Sequence, residues 1–184
     1  MNASPSDAKT FLIMPLEVLR ETPETVAQAV RSIRSRSKSC SLTYRKTGAE
    51  WDSAGEETGR WVVEADDWPP GRIILIETIA GPFDTEEEAD AEAERLNAEI
   101  DQRVASSLYR VTLPGVADIQ LSEPRDGMSP GEKICSVKLT WESNPQAQDI
   151  EWDVSWNWNL TGYGKYNPQV VAAEIQKKFA ELGR

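Results

Sequence analysis

The sequence of 184 residues contains no histidine, and this absence excludes several kinds of chemistry. Histidine is the only side chain with an unperturbed pKa between pH 5 and 8, and it is the commonest catalytic base and metal ligand. Without it the chain cannot form a Ser-His-Asp triad, a Cys-His pair or a zinc site with histidine ligands. Catalysis by carboxylates, lysine, tyrosine or a cofactor stays open, but none of these has a recognisable motif here. The sequence therefore favours a binding protein over an enzyme.

Cysteines and long apolar runs are also scarce. Cys40 and Cys135 are too few for a disulfide framework or a four-cysteine metal site, and we expect two buried thiols rather than a pair. No apolar run approaches the about 20 residues that a membrane helix needs, and residues 1–16 lack the pattern of a secretory signal. These absences predict a cytoplasmic protein with no cofactor, no metal and no membrane segment.

Positive charge is in deficit. The chain has 31 acidic and 20 basic residues, which gives a net charge of −11. Such a chain repels nucleic acid on average. Its negative charge either attracts a basic partner or serves only to keep the protein soluble. Because 39% of the residues are hydrophobic and 28% are charged, the composition is typical of a globular domain.

Hydrophobic patterning predicts strands that alternate with helices. We expect an α+β fold with an antiparallel sheet, or sheets, of about five to seven strands. Two long amphipathic helices would pack on one face, and a shorter helix would lie near the N-terminus. The second long helix would begin at Asn167 and Pro168 and carry an apolar stripe of Val171, Ile175, Phe179 and Leu182. Residues 1–184 then form a single domain, of which residues 1–10 are a loose N-terminal leader. Alternatively, they form two similar strand-strand-helix halves at about 22–108 and 109–184.

The clearest element is a long helix that begins after a strand. Thr85 and Glu88 form a capping box, and an apolar stripe follows at helical spacing. The segment 84–101 carries nine carboxylates and one cation, Arg95. The stripe consists of Ala89, Ala93, Leu96, Ile100, Val104 and Leu108.

The same region carries a family resemblance. The segment Ile79-Ala80-Gly81-Pro82-Phe83-Asp84-Thr85, followed by Glu88, Ala89 and Leu96, resembles half of a SPOR peptidoglycan-binding domain. In those domains a strand ends in Gly-Pro-Phe before an alanine-rich helix. The resemblance implies strand-turn-helix structure at 79–96. SPOR proteins are usually tethered in the periplasm, and the expected lack of an export signal or anchor separates this chain from them.

The acidic helix is the first candidate surface for a partner. Four of its carboxylates share one side at helical spacing, where they could imitate phosphates or attract a basic toxin. The alternative is that they form the solvated side of an amphipathic helix. These four are Glu87, Asp90, Glu94 and Asp101.

The second candidate surface is aromatic. Tryptophans at alternate positions of the predicted strand Ile150–Leu160 belong either to the core or to an open contact patch at the end of that strand. Such a patch would suit a protein surface or the flat face of a sugar or base. Its residues are Trp156, Trp158, Tyr163 and Tyr166.

A third segment is basic. Six cations fall within residues 31–46, and they form either a solvated helix end or a docking patch for an acidic partner or nucleic-acid backbone. These cations are Arg31, Arg34, Arg36, Lys38, Arg45 and Lys46.

Together these features predict a non-catalytic acidic protein that binds a protein with a basic surface stoichiometrically. The class would be that of inhibitor, immunity or mobile-element anti-defence proteins, with nucleic-acid mimicry as one mechanism. A small-ligand or glycan-binding module at the aromatic patch is the alternative, and binding of nucleic-acid backbone through residues 31–46 is the next. The sequence does not determine the oligomeric state.

Overall fold

A computed structural model of the protein describes residues 8–37, 39, 41–66, 78–122, 131–142, 149–155 and 167–182. Within these ranges the chain forms nine strands and three helices. In chain order they are β1 (Ala8–Ile13), β2 (Val18–Arg20), α1 (Pro23–Arg36), β3 (Tyr44–Trp51), β4 (Glu57–Asp66), β5 (Thr78–Phe83), α2 (Glu86–Ser107), β6 (Tyr109–Pro114), β7 (Val116–Ser122), β8 (Lys133–Trp141), β9 (Ile150–Ser155) and α3 (Pro168–Glu181).

The chain divides into two compact units. Unit 1 consists of Met1–Val26 and Leu108–Arg184, and unit 2 consists of Ala27–Ser107. Unit 1 is therefore discontinuous in sequence, and its first strand is paired with a strand about a hundred residues further along. The expected single domain with two similar halves stays a prediction.

Unit 1 contains two three-stranded antiparallel sheets, in the orders β2-β1-β6 and β7-β8-β9. Its core takes buried side chains from both sheets and from α3, and Trp141 and Trp152 pack against it half-buried. The ring centroids of Trp141 and Phe179 are 6.1 Å apart. These two tryptophans therefore belong to the core side of their strands. The buried residues are Phe11, Ile13, Val111, Leu113, Val116, Ile119, Ile134, Cys135, Val137, Leu139, Val154, Val170, Val171, Ala172, Ile175 and Phe179.

Helix α3 begins as the sequence predicts. Asn167 is its N-cap, and the side-chain oxygen accepts a hydrogen bond from the Gln169 amide at 2.9 Å. Pro168 occupies the first turn, where a missing N–H has no cost. The buried side chains of Val171, Ile175 and Phe179 then follow at helical spacing, which confirms the predicted stripe at these positions.

Unit 2 contains one antiparallel sheet, in the order β3-β4-β5, with α2 packed across all three strands. Between sheet and helix, Val63 meets Ala89 and Ala93, and small side chains allow the helix backbone to approach closely. The partly buried side chains around them are Trp61, Ala80, Phe83 and Leu96. Because β3 is the first strand of this order, it forms one edge of the sheet within the described residues.

The expected sheet arrangement is wrong. In the described residues the strands form three sheets of three, and α1 and α3 have 14 residues each while α2 alone is long, with 22. Near the N-terminus the described chain forms β1 and β2, and Phe11 of β1 lies opposite Val111 of β6. The broader α+β class is right. Alternation predicts that a segment is a strand, but it does not predict which distant strand is its partner.

Candidate functional site

Helix α2 carries the candidate acidic surface, and local capping fixes where it begins. The hydroxyl of Thr85 accepts a hydrogen bond from the Glu88 amide at 3.2 Å, and the Glu88 carboxylate accepts one from the Asp84 amide at 3.3 Å. This reciprocal arrangement confirms the predicted capping pair. Buried Ala89 and Ile100 confirm that the predicted apolar stripe faces inward.

The four predicted carboxylates lie along one side of α2. Glu87, Asp90 and Glu94 are exposed, and Asp101 is half-buried. Their spacing of three, four and seven residues keeps them on a single flank, beside the apolar stripe. Residues 87–94 span about 10 Å of helix axis at 1.5 Å per residue, so the first three charges form a compact group.

This flank of α2 lies beside β3, one of the two end strands in the described sheet of unit 2. Asp90 accepts a hydrogen bond from the Thr47 hydroxyl at 2.5 Å. Further along the helix, the side-chain amide of Asn97 accepts from the Arg45 backbone N–H at 2.9 Å and donates to the Arg45 carbonyl at 2.9 Å. Asn97 thus pairs with the outer side of β3 much as a neighbouring strand would.

The far end of the flank contains a buried arginine. The side chain of Arg34, on α1, is 0% exposed, and its guanidinium lies 2.6 Å from a carboxylate oxygen of Asp101. It also donates to the carbonyls of Leu42 and Thr43, each at 2.9 Å, and to the Asn97 side-chain oxygen at 2.8 Å. The Tyr44 ring lies 3.9 Å from the guanidinium carbon. Such a charge is tolerated inside a protein because each donor direction meets an acceptor.

The carboxylates of α2 therefore differ in what they contact. In the described part of the chain, Glu86, Glu87 and Glu94 have no ion pair or side-chain hydrogen bond. On the other side of the helix, Arg95 forms ion pairs with Glu92, at 2.7 Å, and with Glu99. The hydrogen bond from Arg95 holds the pKa of Glu92 below its usual value.

The basic segment does not form one exposed patch. Arg34 is internal, Arg45 is half-buried, and Arg31, Arg36 and Lys46 are exposed. Lys38 lies outside the described residues. The exposed cations are therefore fewer than the sequence pattern suggested.

The aromatic patch falls outside the described residues altogether, since Trp156, Trp158, Tyr163 and Tyr166 belong to the range 156–166. Cys40 also falls outside. Cys135 is a free, buried thiol whose pKa is raised by burial to about 11, so it stays protonated at neutral pH. Across the described ranges, no cluster of three or more acidic or sulfur ligands is arranged to hold a metal ion.

Sequence reasoning missed Asn97 and the internal role of Arg34, although both left a signal. Asn97 follows Ala93 by four residues and precedes Ile100 by three, so it occupies a position of the apolar stripe. Arg34 follows Val30 by four residues, on the apolar side of α1. A polar residue inside an apolar stripe indicates a buried hydrogen-bonding role.

In comparisons with known proteins, no family model, no curated protein and no solved structure matches this chain. The local resemblance of residues 79–96 to a SPOR domain therefore has no wider support. Its structural implication holds, because β5 ends at Phe83 and α2 begins at Glu86. Among the helices in the described ranges, none is both long and apolar enough to cross a membrane.

Proposed function

We propose that this protein acts without catalysis, by binding a basic protein partner stoichiometrically through the carboxylate flank of α2. The observation that carries the proposal is the group Glu87, Asp90 and Glu94, which is exposed, follows one side of the helix and contains no ion pair in the described residues. Carboxylates left without cations are available to a partner's lysines and arginines.

The overall charge supports the same reading. A net charge of −11 attracts a basic partner over a distance and speeds encounter, most strongly at low salt. Inhibitor, immunity and anti-defence proteins use such steering, and imitation of nucleic-acid phosphates is one form of it. DNA presents one phosphate per 3.4 Å along each strand. The three carboxylates of α2 are somewhat sparser than this, so a basic protein cleft of moderate charge density fits best.

Asp101 has a different role within the proposed surface. Its carboxylate is already paired with Arg34, although half of the side chain is exposed. We therefore assign partner contact to the first part of the flank and attachment of the helix to the second part. A cytoplasmic location suits such a protein and stays a prediction.

The test is capture from a lysate of the source organism at low salt, followed by elution with a salt gradient. Wild type should retain a basic protein that the double variant Glu87→Lys/Glu94→Lys loses. The double variant Glu17→Lys/Glu181→Lys, which changes two exposed carboxylates of unit 1, makes the same change of net charge and should retain the partner. Equal retention by all three proteins, or no basic protein bound to wild type, would contradict the proposal.

A further inference from the structure

The contact with Asn97 shows which residues of β3 direct their backbone N–H and carbonyl groups away from β4. Asn97 contacts both the N–H and the carbonyl of Arg45, so these two groups point away from β4. In an antiparallel strand the backbone groups of alternate residues point to the same side. Thr47 and Ala49 therefore also direct their N–H and carbonyl groups outward.

These outward groups have no partner in the described part of the chain. The hydroxyl of Thr47 donates to Asp90. Among the described residues, no group outside the sheet forms a hydrogen bond with the backbone of Thr47 or of Ala49. Both residues are only half-buried, and Trp51, where a register shift disrupts the ladder, is 58% exposed. The open edge is thus short, bounded by Asn97 at Arg45 and by the irregularity at Trp51.

The carboxylate flank lies on the side of α2 that contacts β3. Asp90 and Asn97 contact β3 directly, at Thr47 and Arg45. Glu87 and Glu94 lie on the same flank but are turned further from the apolar stripe, as a helix of 3.6 residues per turn requires. They are therefore exposed on the side of α2 that faces past β3, the side on which a further strand would lie about 4.8 Å from it.

We infer that the partner binds by adding an extended basic segment to β3 as a fourth, antiparallel strand. This inference rests on the proposed function and specifies how the partner is recognised. Backbone groups of the segment pair with Thr47 and Ala49, while lysines or arginines at alternate positions face Glu87, Asp90 and Glu94. Alternate positions are needed because only every second side chain of a strand faces the helix.

A second copy of this chain is a poorer occupant of the same edge. Two copies joined edge to edge would each carry a net charge of −11 and would place two acidic flanks near one shared sheet. Like charges brought together oppose association. A basic segment from another protein meets no such repulsion, so charge complementarity favours it.

The protein side of the test uses Ala49→Pro. Proline removes the outward N–H of residue 49 without removing a ladder bond to β4, so the fold should persist, as unfolding by urea would verify. Ala49→Ser keeps the N–H and is the matched control. We expect Ala49→Pro to weaken the binding of a basic strand by on the order of tenfold and Ala49→Ser to have no effect.

The peptide side uses the probe Lys-Val-Lys-Thr-Lys-Val-Lys, with its binding followed by calorimetry at low salt. In the antiparallel arrangement the lysine amides point at β3, so N-methylation of those amides should abolish binding, while N-methylation of the valine and threonine amides should leave it intact. A peptide of the same composition with its lysines consecutive should bind more weakly. On addition of the first peptide, hydrogen exchange should slow at the amides of Thr47 and Ala49.

The outcomes separate the two proposals. If Glu87→Lys/Glu94→Lys weakens peptide binding but Ala49→Pro does not, charge recognition stands and strand addition is overturned. If both methylated peptides bind equally, strand addition is likewise overturned. If the charge variant has no effect on peptide or partner, the proposed function itself fails. Formation of a dimer that Ala49→Pro disrupts would assign the edge to a second copy and overturn the inference.

Discussion

The two halves of helix α2 use charge in opposite ways. In the second half, Asn97 and Asp101 are bound to Arg45 and to the buried guanidinium of Arg34, so polar groups hold the helix to its own unit. In the first half, Glu87 and Glu94 contact no cation in the described chain. The comparison shows that the number of acidic residues on a helix does not measure its binding surface. What matters is which carboxylates the protein already uses.

Removal of Arg34 should have the largest effect. Arg34→Met removes the donor that Arg34 supplies to the carbonyls of Leu42 and Thr43 and leaves Asp101 without its cation, and we expect a loss of about 3 kcal/mol in the free energy of unfolding. Arg34→Lys should recover only part of it, because an ammonium cannot reproduce the planar fork of donors. The control is Arg31→Met, an exposed position one turn earlier on the same helix. Urea unfolding should show almost no change for that variant, and equal losses for the two methionine variants would contradict the assigned role.

Asn97→Ala should have the next largest effect. It leaves the backbone N–H and carbonyl of Arg45 without their partner, and the expected loss is about 1–2 kcal/mol in the free energy of unfolding. Hydrogen exchange at the Arg45 amide should become faster in this variant. Gln102→Ala, at an exposed position of the same helix, is the control. An unchanged exchange rate at Arg45 would show that Asn97 does not cover the edge.

Charge reversal in the first half should hardly change stability. For Glu87→Lys/Glu94→Lys we expect a loss below about 1 kcal/mol, mainly because Glu87 lies in the first turn, where the helix dipole favours a negative charge. The same urea measurement checks it. A loss as large as that of Arg34→Met would mean that these carboxylates stabilise the fold and are not free for a partner.

The smallest expected effect concerns the outer side of α2. Arg95 lowers the pKa of Glu92, so this contact contributes stability above the usual carboxyl pKa of 4.5 and loses it as the pH falls below that value. In Arg95→Gln the pKa of Glu92 should rise towards its usual value, as a carboxyl NMR titration would show. At pH 7 the thermal midpoint should barely move, because the side chains are exposed and screened by solvent. A large drop at neutral pH would contradict this assignment.

Local patterns were sufficient to predict parts of this fold. The capping pair of Thr85 and Glu88 and the start of α3 at Asn167 are determined within a few residues of chain, and the stripe of α2 follows from spacing within one helix. The pairing of β1 with β6 was not predictable, because it joins Phe11 to Val111 across a hundred residues and leaves no local signal. The three-sheet arrangement follows from such pairings and was missed for the same reason.

The candidate site was predictable only in part. Helical spacing correctly places Glu87, Asp90 and Glu94 together on one exposed flank. It does not reveal that Asp101 is paired with an arginine of another helix, since that contact depends on how α1 and α2 meet. The open edge of β3 was also missed, because an edge is a property of the assembled sheet.

Binding through the first half of α2 is tested most directly by the salt dependence of partner binding. The partner's affinity would be measured between 50 and 200 mM salt, a range over which a charge-driven contact changes strongly, for wild type, Glu87→Lys/Glu94→Lys and Glu17→Lys/Glu181→Lys. If the first half of α2 is the binding surface, the α2 variant alone should show weaker binding and a flatter slope of log affinity against log salt. The same slope and affinity in all three proteins would contradict the claim that the first half of α2 is the binding surface.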